Sequence, residues 1–220
     1  CSAMSAKYLG HEFDIHGGGM DLAATHHTNE IAQSEACSHV QPARYWMHTN
    51  MLTVNGVRMS KSAGNGFLPH QLFSGDHPLL VKGFSPMTVK FFMLQAHYRS
   101  TLDFSNEALD ASEKGYRRLM NAVSLLDKLV PVAEGTVVME QNRLKCEKAM
   151  NDDFNSPVVI AELFEVARIV NSIYDGKASI TAVELANLKQ LMQDFVFDIF
   201  GLKDEDSSNE ELNAVLDMVI

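Results

Sequence analysis

The first candidate site is a glycine run that follows a short alternating apolar pattern. Phe13 and Ile15 alternate with polar residues and lead into glycines at 17–19, which predicts a strand followed by a loop. Such a loop lets a ligand approach the backbone, and Asp21 could accept hydrogen bonds from a ribose. A tight turn beside a core histidine is the alternative interpretation. An esterase oxyanion loop is excluded, because it needs a Gly-x-Ser-x-Gly elbow and the chain has none.

A second candidate site contains His26 and Glu30, which are four residues apart. On a helix both side chains point the same way and could coordinate one metal ion. Zinc takes imidazole and carboxylate ligands. The sequence predicts that helix from Thr25 to about Ser38, with Thr25 as its N-cap. A capped helix start with surface histidines is the alternative. The zincin pattern His-Glu-x-x-His is absent, which argues against a hydrolytic zinc site.

The third candidate site is the segment from Arg58 to Asn65, with the sequence RMSKSAGN. Two cations, small hydroxyl residues and a glycine predict a mobile loop that could close on phosphates. The segment is not a Walker A loop, because the pattern Gly-x-x-x-x-Gly-Lys-Ser/Thr is missing. Residues 51–59 predict a hairpin, since Asn55-Gly56 suits a type I′ turn. A basic surface hairpin is the alternative interpretation.

A fourth cluster, Asp152 and Asp153, lies in the segment MNDDFNSP. Paired carboxylates can do acid–base chemistry, but this pair lies at a predicted junction between two helices, in a region without histidine. The pattern therefore favours helix capping and turn formation over catalysis.

The distribution of charge, histidine and glycine divides the chain near residue 100. The net charge is −10, yet residues 1–100 carry seven Lys or Arg against six Asp or Glu, whereas residues 101–220 carry eleven against twenty-two. All nine histidines and nine of the thirteen glycines fall in the first hundred residues. We therefore predict two domains, with the chemistry in 1–100 and a helical domain in 101–220. The overall acidity does not exclude a nucleic-acid partner, provided that local cations line the contact face.

Apolar residues spaced three and four apart predict helices through the second region, and a further helix after Pro86. Short loops between them predict an antiparallel bundle. No apolar run approaches the roughly 20 residues of a membrane helix, so no membrane partner is predicted. Three widely spaced cysteines, Cys1, Cys37 and Cys146, indicate a reducing compartment. The predicted helices span 105–130, 140–151, 157–174, 179–200 and 209–220.

Taken together and in this order, these segments resemble the cysteinyl-tRNA synthetases, a family of class I aminoacyl-tRNA synthetases. The resemblance covers about residues 1–165. It implies part of an α/β Rossmann-like catalytic domain followed by an all-α domain that contacts the tRNA stem, mostly α overall. The matching stretches are Cys1–Met4, Phe13–Asp21, His26-His27, Asn29–Ser34, Tyr45–His48, Met59–Ser62, His97–Ser100 and Met150–Pro157.

The resemblance also implies a role for each candidate residue. In this family a zinc ion binds the thiolate of the substrate cysteine, and Cys1, His26 and Glu30 match three of its four ligands. Lys61 matches the catalytic lysine that stabilises the ATP phosphates as the adenylate forms. Arg58 stands where the family usually has lysine, which changes the geometry of that cation. The implied ATP-binding residues are His16, Gly18, Gly19, Asp21, Arg58, Met59, Ser60, Lys61 and Ser62.

The implied function is ATP-dependent activation of cysteine and its transfer to tRNA(Cys) by a cytoplasmic parent protein. The chain begins without Met and lacks the His-Ile-Gly-His signature, so we expect a fragment that is inactive alone and holds zinc weakly or not at all. One alternative is the related ligase that joins cysteine to an amino-sugar inositol in mycothiol synthesis. A non-catalytic helical binding module is the other. The cations expected to line a tRNA contact face are Lys82, Lys90, Arg99, Arg117 and Arg118.

Overall fold

The structure is a computed structural model of the 220-residue chain, and it describes residues 1–60 and 62–205. Lys61 and the predicted helix at 209–220 lie outside the described residues. The chain forms two compact units, one made of residues 1–66 and 98–104 and the other of residues 67–97 and the residues from 105 onward. Residues 67–97 therefore belong to the same unit as the later helices and not to the unit of residues 1–66. The reason is that the helix at 86–94 packs against the long helix that follows it.

The first unit is built around two parallel strands joined by a helical connection. Strands β1 (Phe13–Gly19) and β2 (Ala43–Thr49) pair in parallel, and a π-helical turn at Ala23–His27 joins the two helices between them. Helix α1 (Ser2–Leu9) packs on α3 (Thr28–Ser38), where Ser2 Oγ donates to Gln33 Oε1 at 2.9 Å. In chain order the elements are α1 (Ser2–Leu9), β1 (Phe13–Gly19), α2 (Met20–Leu22), α3 (Thr28–Ser38), β2 (Ala43–Thr49), β3 (Leu52–Val54), β4 (Val57–Arg58) and β5 (Leu102–Phe104).

Two local predictions in this unit are wrong. The glycines at 17–19 continue β1 instead of forming a loop, because their backbones complete the ladder with residues 47–49. The helix begins at Met20 and not at Thr25, so Thr25 lies within the π-helical turn. Its hydroxyl donates back to the carbonyl oxygen of Asp21 at 3.5 Å instead of capping a helix. The strand thus turns directly into the helix, without an intervening loop.

The predicted hairpin is confirmed, with β3 and β4 antiparallel. Asn55 and Gly56 have φ angles of 50° and 76°, as both central residues of a type I′ turn require. Strand β5, which the sequence pattern did not predict, pairs in parallel with β3. Asp103 Oδ1 accepts hydrogen bonds from the Thr53 hydroxyl at 2.6 Å and from the Gly56 N–H at 2.8 Å. This three-stranded sheet anchors the start of the predicted phosphate loop.

The second unit is helical, and the four helices predicted between residues 105 and 200 are confirmed with small shifts at their ends. Ser85, Ser105 and Thr181 cap helix N-termini by accepting backbone N–H groups. Across residues 1–60 and 62–205, every helix is too short or too polar to cross a bilayer. The helices are α4 (Pro69–Ser74), α5 (Pro86–Leu94), α6 (Asn106–Leu125), α7 (Glu140–Asn151), α8 (Ser156–Tyr174) and α9 (Ala182–Met192), and a π-helical segment, Gln193–Ile199, follows α9.

Helix α6 is at the centre of this unit, packing on both α5 and α8. Its apolar residues recur every three to four positions, so Leu109, Tyr116 and Leu119 are all buried. Gly115 lies at a close approach of these helices, because a Cβ there would be 3.3 Å from Phe91 and 3.4 Å from Phe164. The core therefore depends on this close approach of three helices.

The reactivity of Cys146 on α7 tests whether this core is packed as described. Its side chain is fully buried, and burial raises the pKa of its thiol to about 12, whereas Cys1 and Cys37 are exposed. Since the thiolate is the reactive form, we expect iodoacetamide to alkylate Cys1 and Cys37 in the native protein and to spare Cys146. Mass spectrometry of the peptides measures this, with urea-unfolded protein as the control in which all three react. Native labelling of Cys146 as fast as Cys37 would contradict the packing.

Candidate active site

Four ring side chains gather where β1 and β2 meet the π-helical turn, and we call them the imidazole cluster: His16, His27, Trp46 and His48. His16 and Trp46 are partners in the strand register, and their rings stack with centroids 4.5 Å apart. The His27 ring lies 4.7 Å from that of His16 and 5.0 Å from that of Trp46. His27 Nδ1 is 2.8 Å from His48 Nε2. Sequence reasoning missed this cluster, although Trp46 and His48 alternate as residues on one face of a strand do.

Gly18 has no side chain, and the His27 ring occupies the space that a side chain there would fill. A Cβ on Gly18 would lie 2.6 Å from His27 Cε1 and 2.9 Å from His27 Nε2, whereas a Cβ on Gly17 would meet only the Met47 carbonyl oxygen at 3.8 Å. A Cβ on Gly19 would collide with the carboxylate of Asp21. Close packing thus accounts for the glycine at 18, whereas the exposed carboxylate of Asp21 can turn away from position 19. The ATP contact predicted for both glycines stays a prediction.

His27 is the most buried member of the imidazole cluster, with 4% of its surface exposed. Burial lowers the pKa of His27, and the neighbouring His16 and His48 lower it further. The ring is therefore neutral at neutral pH, with one donor nitrogen and one acceptor nitrogen. In the short contact with His48, one ring donates and the other accepts. The imidazole cluster is thus a packed and hydrogen-bonded group of rings between the two strands and the π-helical turn.

Of the three predicted zinc ligands, Glu30 contacts another candidate residue: its Oε2 lies 3.2 Å from His16 Nε2, and both side chains are mostly buried. His26 is exposed, and its Nδ1 lies 3.1 Å from the Thr25 hydroxyl. Cys1 is also exposed. Within the described part of the chain, no three His, Cys, Asp or Glu side chains are grouped so that they could hold a metal ion. The donor types suit zinc, but the geometry does not assemble them into a site.

His27, and not His26, faces the sheet: His27 is buried beside Trp46 and His48, whereas His26 is exposed. His27 ends the π-helical turn and lies three residues before Glu30, a spacing that also places two side chains on one helix face. The prediction from four-residue spacing assumed a regular helix through His26. The wider π-helical turn changes which histidine faces the sheet.

In the predicted phosphate loop, hydrogen bonds join the described residues on either side of Lys61. Ser60 Oγ accepts the Ala63 N–H at 3.1 Å and lies 3.2 Å from Ser62 Oγ. Asn65 accepts the Ser60 N–H at 2.9 Å and donates to the Arg58 carbonyl oxygen at 3.1 Å. The structure thus brings the candidate ATP-binding residues into two groups. His16, Gly18, Gly19 and Asp21 lie on β1 and α2, whereas Arg58, Met59, Ser60 and Ser62 lie on this loop.

The cations predicted to contact tRNA are engaged with nearby groups. Lys82 Nζ lies 2.7 Å from carboxylate oxygens of Asp110 and Glu113, and these two hydrogen bonds raise the pKa of Lys82. Arg117 pairs with the same glutamate, also at 2.7 Å. Acidic residues on α6 thus offset part of the positive charge of Lys82 and Arg117, which gives no support to a cationic contact face.

The other three cations also have contacts close by. Lys90 donates to the Gly201 carbonyl oxygen at 2.9 Å, and Arg118 lies 5.6 Å from the centre of the Phe164 ring. In the first unit, Arg99 lies over the ring of Tyr98. The tRNA contact face stays a prediction.

The acidic pair lies in a turn, as predicted. Helix α7 ends at Asn151 and α8 begins at Ser156. Between them Asp153 and Phe154 have φ angles of 57° and 55°, a left-handed conformation that costs about 1–3 kcal/mol for such residues. Asp153 Oδ2 lies 3.9 Å from His97 Nε2. The backbone angles show a tight helix–helix connection, and folding brings a histidine from a distant part of the sequence close to this pair.

Comparison with known proteins identifies the class. Residues 1–114 match the family described as the tRNA synthetases class I (C) catalytic domain, and residues 145–203 match the DALR domain. The LeuRS of Agrobacterium radiobacter K84, solved in a ternary complex with tRNA and LeuAMS, has a similar fold, with a TM-score of 0.56 and 19% identity. That likeness covers 87% of this chain and 27% of the other. Fold and sequence together define a class I tRNA synthetase.

The curated relatives identify the family within this class. The Cysteine–tRNA ligase of Bacteroides thetaiotaomicron is 54% identical over 223 residues, covering 100% of this chain and 45% of the relative. The enzyme of the same name from Parabacteroides distasonis is 54% identical over 209 residues, covering 95% of this chain and 43% of the relative. The chain belongs to the cysteinyl-tRNA synthetase family, and it spans a little under half the length of these relatives. The family resemblance and the predicted fold class are confirmed.

Proposed function

We propose that the full-length protein activates cysteine with ATP and transfers the activated cysteine to tRNA(Cys). The observation that carries this proposal is the match of residues 1–114 to the catalytic domain of this family, a stretch that also contains the candidate phosphate loop at 58–65. Relatives named Cysteine–tRNA ligase, 54% identical along the chain, support cysteine and tRNA(Cys) as the substrates.

In this proposal ATP binds where β1 turns into α2, and its phosphates meet the loop at 58–65. The cysteine carboxylate attacks the α-phosphorus, pyrophosphate leaves, and a cysteinyl adenylate remains for transfer to the tRNA. Asp21, exposed in the first turn of α2, accepts hydrogen bonds from the ribose. His16, Gly18 and Gly19 complete this part of the pocket.

The loop acts on the phosphates through charge and hydroxyl donors. Lys61 and Arg58 offset the negative charge that develops as pyrophosphate leaves. Ser60 and Ser62 lie 3.2 Å apart, hydroxyl to hydroxyl, and each can exchange that contact for a phosphate oxygen. Since Ser60 Oγ already accepts the Ala63 N–H, its own proton remains available for donation.

Zinc binding by Cys1, His26 and Glu30 stays a prediction from the family resemblance. The described residues do not assemble this trio, and Glu30 is engaged with His16. We also propose the cytoplasm as the location, because charging requires tRNA and ATP, and because the chain's three cysteines are free thiols.

Two assays on the full-length protein test the function. We expect cysteine-dependent ATP–pyrophosphate exchange and charging of tRNA(Cys) with cysteine, with serine as the control amino acid. Exchange without charging, together with transfer to an amino-sugar inositol, would favour the mycothiol-type ligase. Absence of both activities would favour a non-catalytic module. Metal analysis of the same preparation tests the zinc prediction, for which we expect about one ion per chain.

A further inference from the structure

Asn65 is a buried polar residue at the base of the phosphate loop. Its exposed fraction is 8%, and among the described residues of the first unit the only other buried polar residue is His27. Buried amides are retained where both of their functional groups find partners. The contacts of Asn65 therefore indicate what the side chain holds in place.

The Asn65 side chain joins the end of the loop to its beginning. Its Oδ1 accepts the Ser60 N–H at 2.9 Å, and its Nδ2 donates to the Arg58 carbonyl oxygen at 3.1 Å and lies 3.5 Å from that of Val57. One amide thus fixes the backbone on both sides of Met59. We call this set of contacts the Asn65 clamp.

The outer part of the loop, from Ser62 to Gly64, has more exposed contacts. Ser62, Ala63 and Gly64 are exposed, and the contacts of the Ser60 hydroxyl with Ala63 and Ser62 are accessible to a ligand. Gly64 adopts a φ of 64°, which favours glycine. The loop therefore combines a buried, fixed base with an outer part whose contacts can be exchanged.

We infer that Asn65 is a positioning residue for ATP, an inference that rests on the proposed function. The clamp sets the backbone at Arg58 and Ser60, and Lys61 follows Ser60 directly in the sequence. The serine hydroxyls then exchange their mutual contacts for phosphate oxygens while the base stays in place. Both functional groups of the amide are engaged by the backbone, so Asn65 acts through its neighbours and does not bind the phosphates.

Steady-state ATP–pyrophosphate exchange by the full-length protein tests this inference. For Asn65→Ala we expect kcat/KM for ATP to fall by about tenfold or more, because both hydrogen bonds of the clamp are lost, with KM for cysteine unchanged. Asn65→Asp keeps the acceptor for the Ser60 N–H but places a buried carboxylate oxygen against the Arg58 carbonyl oxygen, so we expect a loss at least as large. Asn187→Ala on α9 changes an exposed asparagine and should match the wild type.

Hydrogen exchange distinguishes failure of the clamp from failure of the proposed function. In Asn65→Ala we expect the Ser60 amide to exchange faster, while amides in β1 and β2 keep their rates. Unchanged exchange at Ser60, or kcat/KM for ATP within about twofold of the wild type, would overturn the inference. An equal loss for ATP and cysteine in both Asn65 variants would also overturn it, since that is the signature of general misfolding. A wild-type protein inactive in exchange would contradict the proposed function alone, because hydrogen exchange still tests the clamp.

Discussion

Replacing Lys61 with alanine in the full-length protein is expected to reduce cysteine-dependent ATP–pyrophosphate exchange by about 100- to 1,000-fold, the range for loss of one preorganised donor to a charged transition state. Negative charge develops on the pyrophosphate as it leaves, and lysine supplies a compact charge with three donors. The effect should fall mainly on kcat, because this interaction strengthens as the reaction proceeds.

Two further variants make the Lys61 result specific. Lys114→Ala removes an exposed lysine from α6 and should leave exchange unchanged, although it alters the net charge by the same amount. Lys61→Arg keeps the charge but changes its shape, so we expect partial activity. Metal content should be the same in all of these proteins. Wild-type exchange by Lys61→Ala would show that the role given to Lys61 is wrong.

The second large effect is expected at Gly18. A Cβ on Gly18 would overlap the His27 ring, which is buried against Trp46 and hydrogen-bonded to His48 and so has little room to move. Overpacking of this kind typically costs about 1–3 kcal/mol. We therefore expect Gly18→Ala to lower the free energy of unfolding by that amount, measured by urea denaturation.

Gly17→Ala is the matched control, because its Cβ would make only an ordinary contact at 3.8 Å. Trp46 is the only tryptophan in these 220 residues and stacks on His16, so its fluorescence reports on the imidazole cluster. We expect the emission to shift in Gly18→Ala and to stay constant in Gly17→Ala. Equal stability of the two variants would contradict the packing at Gly18.

Local patterns predicted the elements that depend on local interactions. Helices α7 and α8 were predicted almost to the residue, because apolar spacing and a proline near the start of α8 depend only on nearby sequence. The hairpin was predicted because Asn55-Gly56 tolerates positive φ. By contrast, β5 has three residues and forms through parallel pairing with β3, some fifty residues earlier in the chain, so no local pattern revealed it.

The same distinction between local sequence and tertiary contacts applies to the candidate site. The sequence alone determined the family, the loop that carries Arg58, Ser60, Lys61 and Ser62, and the candidate ligands, because these depend on residue types and their order. Only the tertiary structure decided that Gly18 makes room for His27 and that Asn65 clamps the loop. It also decided that acidic neighbours engage Lys82. The physical reason is that burial, steric contact and charge pairing arise between groups that only folding brings together.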